Sequence, residues 1–494
     1  MAGTTAWVLG DQLTMSNPAL DGADRVLIVQ SAAALRARRF HRQKLHLVLV
    51  AMRHFADELV ARGVEVDFVR ADRLGLGLRE HVERHRPDRV TLMAPKSAAG
   101  RDGLSRLPRV QLVDDALFLT DPAQFSVWAN ARRRVVMEDF YRRQRRRLGL
   151  LMDGDEPAGG RWNFDPENRR PAPATARPPR PYRPHEDRHD EAVRAELDAA
   201  DVETWGEDGP RLWPANRAQA QRALRRFIDR ALPEFGPYQD AMLGGERAMW
   251  HSQLSSSLNL GLLSPLECAE AAQLAYREGR APLASVEGFI RQVIGWREFI
   301  WCMYWHLQGQ WRRMNALDAH APLPEVLITG ETGMRCLSEA VGGLRQTAYA
   351  HHIERLMLFG NLVLLCGTEP SLALDWFHRA FIDGYDWVMA PNVLGMATWS
   401  DGGRMMTKPY AAGGRYVDRM SDHCGRCVYR PGRRTGDDAC PFTTLYWDFL
   451  ARNRQRLAGN HRMAIVLRNL DRIEAPELAQ ITQRGRRLRT SFDA

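Results

Sequence analysis

The chain has 494 residues, 45% of them hydrophobic, and a formal net charge of +9 at pH 7. That length points to two or three domains with sizeable cores, and the absence of any run of about 18 apolar residues gives no sign of a membrane-spanning helix. The positive balance fits a polyanionic partner such as DNA or RNA, and fits equally an arginine-rich sequence with solvated charge.

The first 120 residues read as α/β. Strand-like runs at 7–9, 26–29, 45–50 and 64–69 are separated by helical patterns such as 53–62. This alternation predicts a parallel, helix-covered sheet in a domain spanning 1–128. Gly10-Asp11-Gln12 follows the first strand where a dinucleotide fold carries GxGxxG, so that fold is not indicated. Residues 129–152 predict a long helix, interrupted near its end by Gly149. Its basic block Arg142-Arg143-Gln144-Arg145-Arg146-Arg147 is expected as a solvated face, with a DNA-backbone role as the alternative. Residues 153–187, rich in Pro, Arg and Gly, predict an extended connector, so 129–211 reads as a long helix plus an interdomain connector. From 212 to 494 long segments of period 3.6 dominate and predict a large all-α domain.

Several motifs in the helical part carry chemistry. Ser252, Ser255, Ser256 and Ser257 precede an apolar helix, where hydroxyls and free N–H groups suit a phosphate or simply cap the helix. The run from Glu287 through Arg297 to Trp301, Tyr304 and Trp305 is dense in aromatics, as a core or as a stacking wall for a planar cofactor or an extruded base. In the 346–356 segment, helical spacing lines His351 up with Leu344, Ala348, Arg355 and Leu358, and turns His352 toward Tyr349. A lone histidine on such a face is usually a satisfied core residue; two adjacent ones with an arginine one turn on are expected to line a polar pocket, where one could serve as a proton donor. Trp376-Phe377, Asp383, Asp386 and Asn392 follow, then Thr407-Lys408-Pro409-Tyr410. Carboxylates and tryptophans beside a short apolar run suit an isoalloxazine ring, or form an ordinary loop.

Four of the seven cysteines, Cys336, Cys424, Cys427 and Cys440, supply enough thiolates for a 4Fe–4S cluster or a tetrahedral zinc site, and spacing leaves both open. Nothing at the N-terminus reads as a cleavable signal, which favours reduced thiols over disulfides and a cytoplasmic location. Cys268, Cys302 and Cys366 lie in apolar helical stretches and are expected as buried core thiols.

In order along the chain, these motifs resemble the photolyase/cryptochrome superfamily, specifically the iron–sulfur bacterial cryptochromes and photolyases, also called prokaryotic (6-4) photolyases. The likeness runs from Gly10-Asp-Gln-Leu13 through Ala51-Met-Arg-His-Phe55 and Gly160-Arg-Trp-Asn-Phe-Asp165. It continues through Trp296-Arg-Glu298, Ala350-His-His-Ile353, Pro391-Asn-Val-Leu-Gly-Met396 and Thr407-Lys-Pro-Tyr410. The resemblance implies an α/β antenna domain and a helical domain that holds bent FAD, with a 4Fe–4S cluster on the four cysteines. It implies FAD contacts from Tyr238, Ser252, Ser255 and Ser256 to the ribityl and phosphates, and from Arg297, Asp383, Asp386 and Asn392 around the ring. His351 and His352 match the histidine pair at the lesion, Lys408 and Tyr410 look like pocket residues, and Trp376 resembles the flavin-proximal tryptophan of photoreduction. Phe377 and Ile328 stand where the family often has redox-active aromatics, which shortens or diverts that route. Val29-Gln30-Ser31 replaces an acidic residue usual near the antenna, 6,7-dimethyl-8-ribityllumazine. The implied activity is light-driven repair of (6-4) photoproducts in UV-damaged DNA by a monomeric, cytoplasmic bacterial enzyme, with the cluster anchoring the histidine segment. The rivals are a cryptochrome-type photoreceptor with the same cofactors, and a light-independent nucleic-acid-binding iron–sulfur protein.

Overall fold

In the computed structural model, residues 3–200 and 202–492 are described. Strands β1 (Thr4–Val8), β2 (Arg25–Ser31), β3 (Glu65–Ala71), β4 (Arg89–Met93) and β5 (Val110–Val113) form one sheet in the order β3-β2-β1-β4-β5. Every pairing is parallel. Helices α1 (Ala32–Arg36), α2 (Arg42–Ala61), α3 (Leu74–His85) and α4 (Ala98–Ser105) lie in the connections from β2 onward. Alternation along the strands splits the side chains between two cores. Trp7, Leu27, Val29, Val69, Val90 and Leu92 pack with Leu78 of α3 on one face. Ala6, Val8, Val26 and Ile28 pack with Leu45, Leu49, Met52 and Phe55 of α2 on the other, in a cluster that continues into the helical part as far as Phe492.

The strand order reverses between β1 and β4, and the crevice at their carboxyl ends is where such sheets usually take a ligand. Here the helical part enters it. The Leu13 N–H donates to the Leu260 carbonyl at 2.8 Å, and Lys96 Nζ donates to the Asn259 carbonyl at 2.6 Å. Gly261 turns there at φ +88, and a Cβ on it would stand 3.3 Å from the Leu13 nitrogen. Most of the remaining chain is helical.

Three expectations are corrected. The run 45–50 is the first half of α2, not a strand. Nearly all of its residues are buried, so its apolar pattern is continuous, and a short continuous run does not separate a buried strand from a buried helix. The helix expected over 129–152 is two helices, α5 (Pro122–Asn130) and α6 (Met137–Leu148), with Gly149 left-handed after the second. The basic block is not uniformly solvated: Arg143, Arg146 and Arg147 are exposed, but Arg145 is buried. Its guanidinium caps the chain reversal, donating to the Leu150 carbonyl at 3.1 Å and the Trp162 carbonyl at 3.2 Å. Cys268, Cys302 and Cys366 are buried, as expected.

Candidate functional site

A buried ion pair forms the hub of the helical part. Arg355 donates to Asp383 at 2.8 Å, and its Nε donates to the Ala350 carbonyl at 2.6 Å. Burial alone would raise the Asp383 pKa, but Arg355 and the Ser255 hydroxyl outweigh it and hold the carboxylate below its ordinary value. Asn259 Nδ2 donates to the Asp383 carbonyl at 3.2 Å, and Lys44 of α2 reaches the neighbouring Gly384 carbonyl. The α/β part therefore contributes a buried amine beside this site, its pKa lowered by burial to about 7. Arg355, which sequence reasoning treated only as a companion of the histidines, is the residue that joins Ala350 to Asp383. Its place one turn after His351 was the available signal.

The histidines do not lie on one continuous helix. The Arg335–Thr347 helix ends at Ala348, which is left-handed at φ 57 and returns its N–H to the Leu344 carbonyl at 2.8 Å. A new helix starts at His352, and the His351 N–H donates to the Glu354 carboxylate at 3.2 Å. His351 is buried and stacks on His251, with ring centroids 4.7 Å apart and an interplanar angle of 11°. His352 is exposed. Burial, reinforced by His251, His352 and Arg355, holds the His351 pKa well below the ordinary imidazole value. Burial raises the Glu354 pKa to about 8.

The remaining predicted residues divide into groups. Tyr238 packs against Trp250 at 4.7 Å between ring centroids, and Ser252 caps the turn before Ser255 through the Leu254 N–H at 3.4 Å. Trp376 is buried and packs edge-on against Phe359 at 5.5 Å and Phe381 at 5.8 Å. Phe381 lies under the Arg355 guanidinium at 4.3 Å, which connects Trp376 to the hub. Tyr410 is half-buried and sits in the field of Arg169, Asp165 and Asp240, whereas Lys408 is exposed. Asp386 turns away from the hub and accepts from the Tyr304 hydroxyl at 2.5 Å, with Arg312 at 3.3 Å. Arg297 lies at the joint between the two parts, donating to the Leu117 carbonyl at 3.3 Å and covering the Phe118 ring at 4.1 Å. Asn392 Nδ2 donates to the Val388 carbonyl at 2.7 Å within its own helical turn.

Two observations bear on the cofactors. The buried hydroxyls of Ser256 and Ser257, both ring nitrogens of His351 and Nε1 of Trp376 have no partner within the protein. Buried polar atoms are normally satisfied, so these orphaned groups are of the kind a polar ligand such as FAD would pair with. The four cysteines Cys336, Cys424, Cys427 and Cys440 line one cavity with Met334, Gly414, Val417 and His423. Burial, and then repulsion from the other three sulfurs, pushes the Cys336 pKa well above its ordinary value, so thiolates here need a positive centre. Among the described residues, no three of these sulfurs come within 4.8 Å of one another. Four thiols lining one cavity are a donor set that fits an iron–sulfur cluster or a tetrahedral zinc ion.

The fold is that of a photolyase. The crystal structure of a bacterial class III photolyase from Agrobacterium tumefaciens superposes with a TM-score of 0.64, at 17% identity, over 93% of this chain and 98% of that one. A family profile described as deoxyribodipyrimidine photo-lyase-related protein matches residues 6–213. The (6-4) photolyase of Agrobacterium fabrum is 41% identical over 486 residues, 92% of this chain and 93% of that protein. An uncharacterised protein of Acanthamoeba polyphaga mimivirus is 33% identical over 107 residues, 22% of this chain. The chain belongs to the bacterial (6-4) photolyase family of the photolyase/cryptochrome superfamily.

Proposed function

We propose that this chain is a DNA photolyase that reverses pyrimidine (6-4) pyrimidone photoproducts under blue light. The observation that carries the reading is the 41% identity, over 92% of the chain, with a protein named (6-4) photolyase. The net charge of +9 supports DNA binding through phosphates. A weakly stacked lesion is cheap to extrude into a pocket. The chemistry FAD supplies when bound is light-driven donation of one electron to the lesion and its later recovery. Tyr238, Ser252, Ser255 and Ser256 would hold its ribityl and phosphates, and Asp383, paired with Arg355, would help hold the ring. Trp376 is the residue through which electrons would arrive. Arg297, Asp386 and Asn392 belong to the shell around that pocket, and their observed partners suit support rather than direct contact.

The proton is handled by His351, His352 and Glu354. A buried, neutral His351 is a weak acid, and Glu354, protonated up to about pH 8, stands with Oε2 3.7 Å from His351 Nε2. One of the two histidines would give the lesion its proton, Glu354 holding the turn that carries them by accepting the His351 N–H, with Lys408 and Tyr410 as further pocket residues. Cys336, Cys424, Cys427 and Cys440 hold a 4Fe–4S cluster whose role is to anchor. Cys336 lies in the first turn of the helix that ends at Ala348, just before the histidines. Blue-light repair of a (6-4)-containing oligonucleotide tests the assignment. Loss of a positioned proton donor costs about 10²–10⁴-fold, so full activity in both His351→Ala and His352→Ala would refute it. The visible spectrum of the purified protein tests the cofactors through flavin bands, a broad cluster shoulder and, for the lumazine antenna, a further band.

A further inference from the structure

At the edge of the sheet, three metal-ligating side chains converge. His81 and His85 stand one turn apart on α3, and Asp67 projects from the edge strand β3 beneath them. His81 Nδ1 is 2.7 Å from Asp67 Oδ2, and His85 Nε2 is 3.4 Å from the same oxygen. One donor atom from each residue falls in a group within 4.8 Å. We propose that Asp67, His81 and His85 bind a divalent transition cation of the zinc type, with water in the remaining position.

Donor chemistry, spacing and outer contacts all support this. Two imidazoles and one carboxylate, with a position left open, are a common ligand set for zinc. Ligands about 2.0 Å from a tetrahedral ion lie roughly 3.3 Å apart. The His85–Asp67 pair already has that spacing, the His81–Asp67 pair is closer by about half an ångström, and all three donors fall within 4.8 Å. His81 has a partner for its other nitrogen, as ligating imidazoles usually do. His81 Nε2 meets the buried Thr5 hydroxyl at 2.9 Å, and His85 Nδ1 faces Glu65 Oε1 at 4.0 Å. Arg84 takes the other Asp67 oxygen at 2.7 Å, which fixes the carboxylate while leaving Oδ2 turned to the histidines. The Arg84 charge is shared with Glu80 at 2.5 Å. His81 is fully buried, while the side chains of His85 and Asp67 are 18% and 11% exposed, so the site is lined from inside and open to an ion from outside. A bound ion would fasten the last turns of α3 to a strand that, among the described residues, has no neighbouring strand on its outer side.

Calorimetric titration of the cluster-loaded, flavin-loaded protein with zinc chloride tests the proposal. Wild type should bind one zinc, and His85→Ala and Asp67→Asn should not. Thr5→Val should weaken binding about 10–100-fold, the usual effect of losing an outer partner. X-ray absorption of the bound zinc should show nitrogen and oxygen at about 2.0–2.1 Å and no sulfur near 2.3 Å. His85→Ala keeps the His81–Asp67 contact, so an unchanged melting temperature in chelator shows that it folds. Failure of wild type to bind zinc, undiminished binding by His85→Ala, or sulfur coordination at the cysteines would each overturn the site.

Discussion

Replacing Asp383 with Asn tests the hub directly, because it removes one charge and almost no volume. The Arg355 and Asp383 side chains are only 18% and 10% exposed. Breaking a buried pair from one side costs about 3–5 kcal/mol. Arg355 keeps its bond to the Ala350 carbonyl, so the lower end applies, about 3 kcal/mol. With an unfolding entropy near 2.1 cal/mol/K per residue over 494 residues, that corresponds to a fall in Tm of about 3 °C. Chemical denaturation of wild type, Asp383→Asn, Arg355→Gln and the double variant completes a cycle. We expect a coupling energy of about 2 kcal/mol, and Asp383→Asn should also retain less FAD through gel filtration. Free energies that add to within about 0.5 kcal/mol would refute the hub.

Further predictions concern the cluster, the proton and the electron route. A Cβ at Gly414 would lie 2.7 Å from Cys440 Sγ, so Gly414→Ala should lower iron content per chain and leave flavin content unchanged. Cys336→Ser should impair both iron loading and repair; a variant that folds, keeps FAD and repairs normally would sink the anchoring role. Glu354 has a folded pKa of about 8 against an ordinary 4.5, so the folded state holds a proton that the unfolded chain releases between those values. Stability should therefore fall as pH rises through that window. Glu354→Gln removes this loss, so its Tm relative to wild type should rise from pH 5 to pH 8, and a constant difference would contradict the assignment. Trp376→Phe should suppress blue-light reduction of bound flavin by an added reductant; an unchanged rate would send the electron route elsewhere.

The parallel sheet and the mostly helical remainder were legible because alternation, period and punctuation agree over long stretches. The run 45–50 misled because burial on nearly every side erases the period of a helix. The break at Ala348 carried no signal, since the residue taking the left-handed turn is neither Gly nor Asn. Helical spacing therefore aligned His351 with Leu344 across a turn that separates them. The cysteines were readable as a set because ligand chemistry fixes residue type, whereas their spacing in space needed the fold. At Asp386 motif reasoning reaches only to residue type: a carboxylate beside tryptophans fits a flavin loop, and the fold adds its contacts with Tyr304 and Arg312.

The Leu260–Gly261 turn lodged between β1 and β4 has a consequence for the polypeptide as a physical object. Because the sheet's inner core and the helical core form one contiguous cluster, peptide continuity through residues 168–187 is not what keeps the two parts together. A protease that cuts this proline-rich stretch should leave fragments that migrate as one particle and melt in one transition, with chromophore content intact. Resistance to such nicking is a property of the joint, and it would vanish if Lys96 or the 259–261 turn were remodelled.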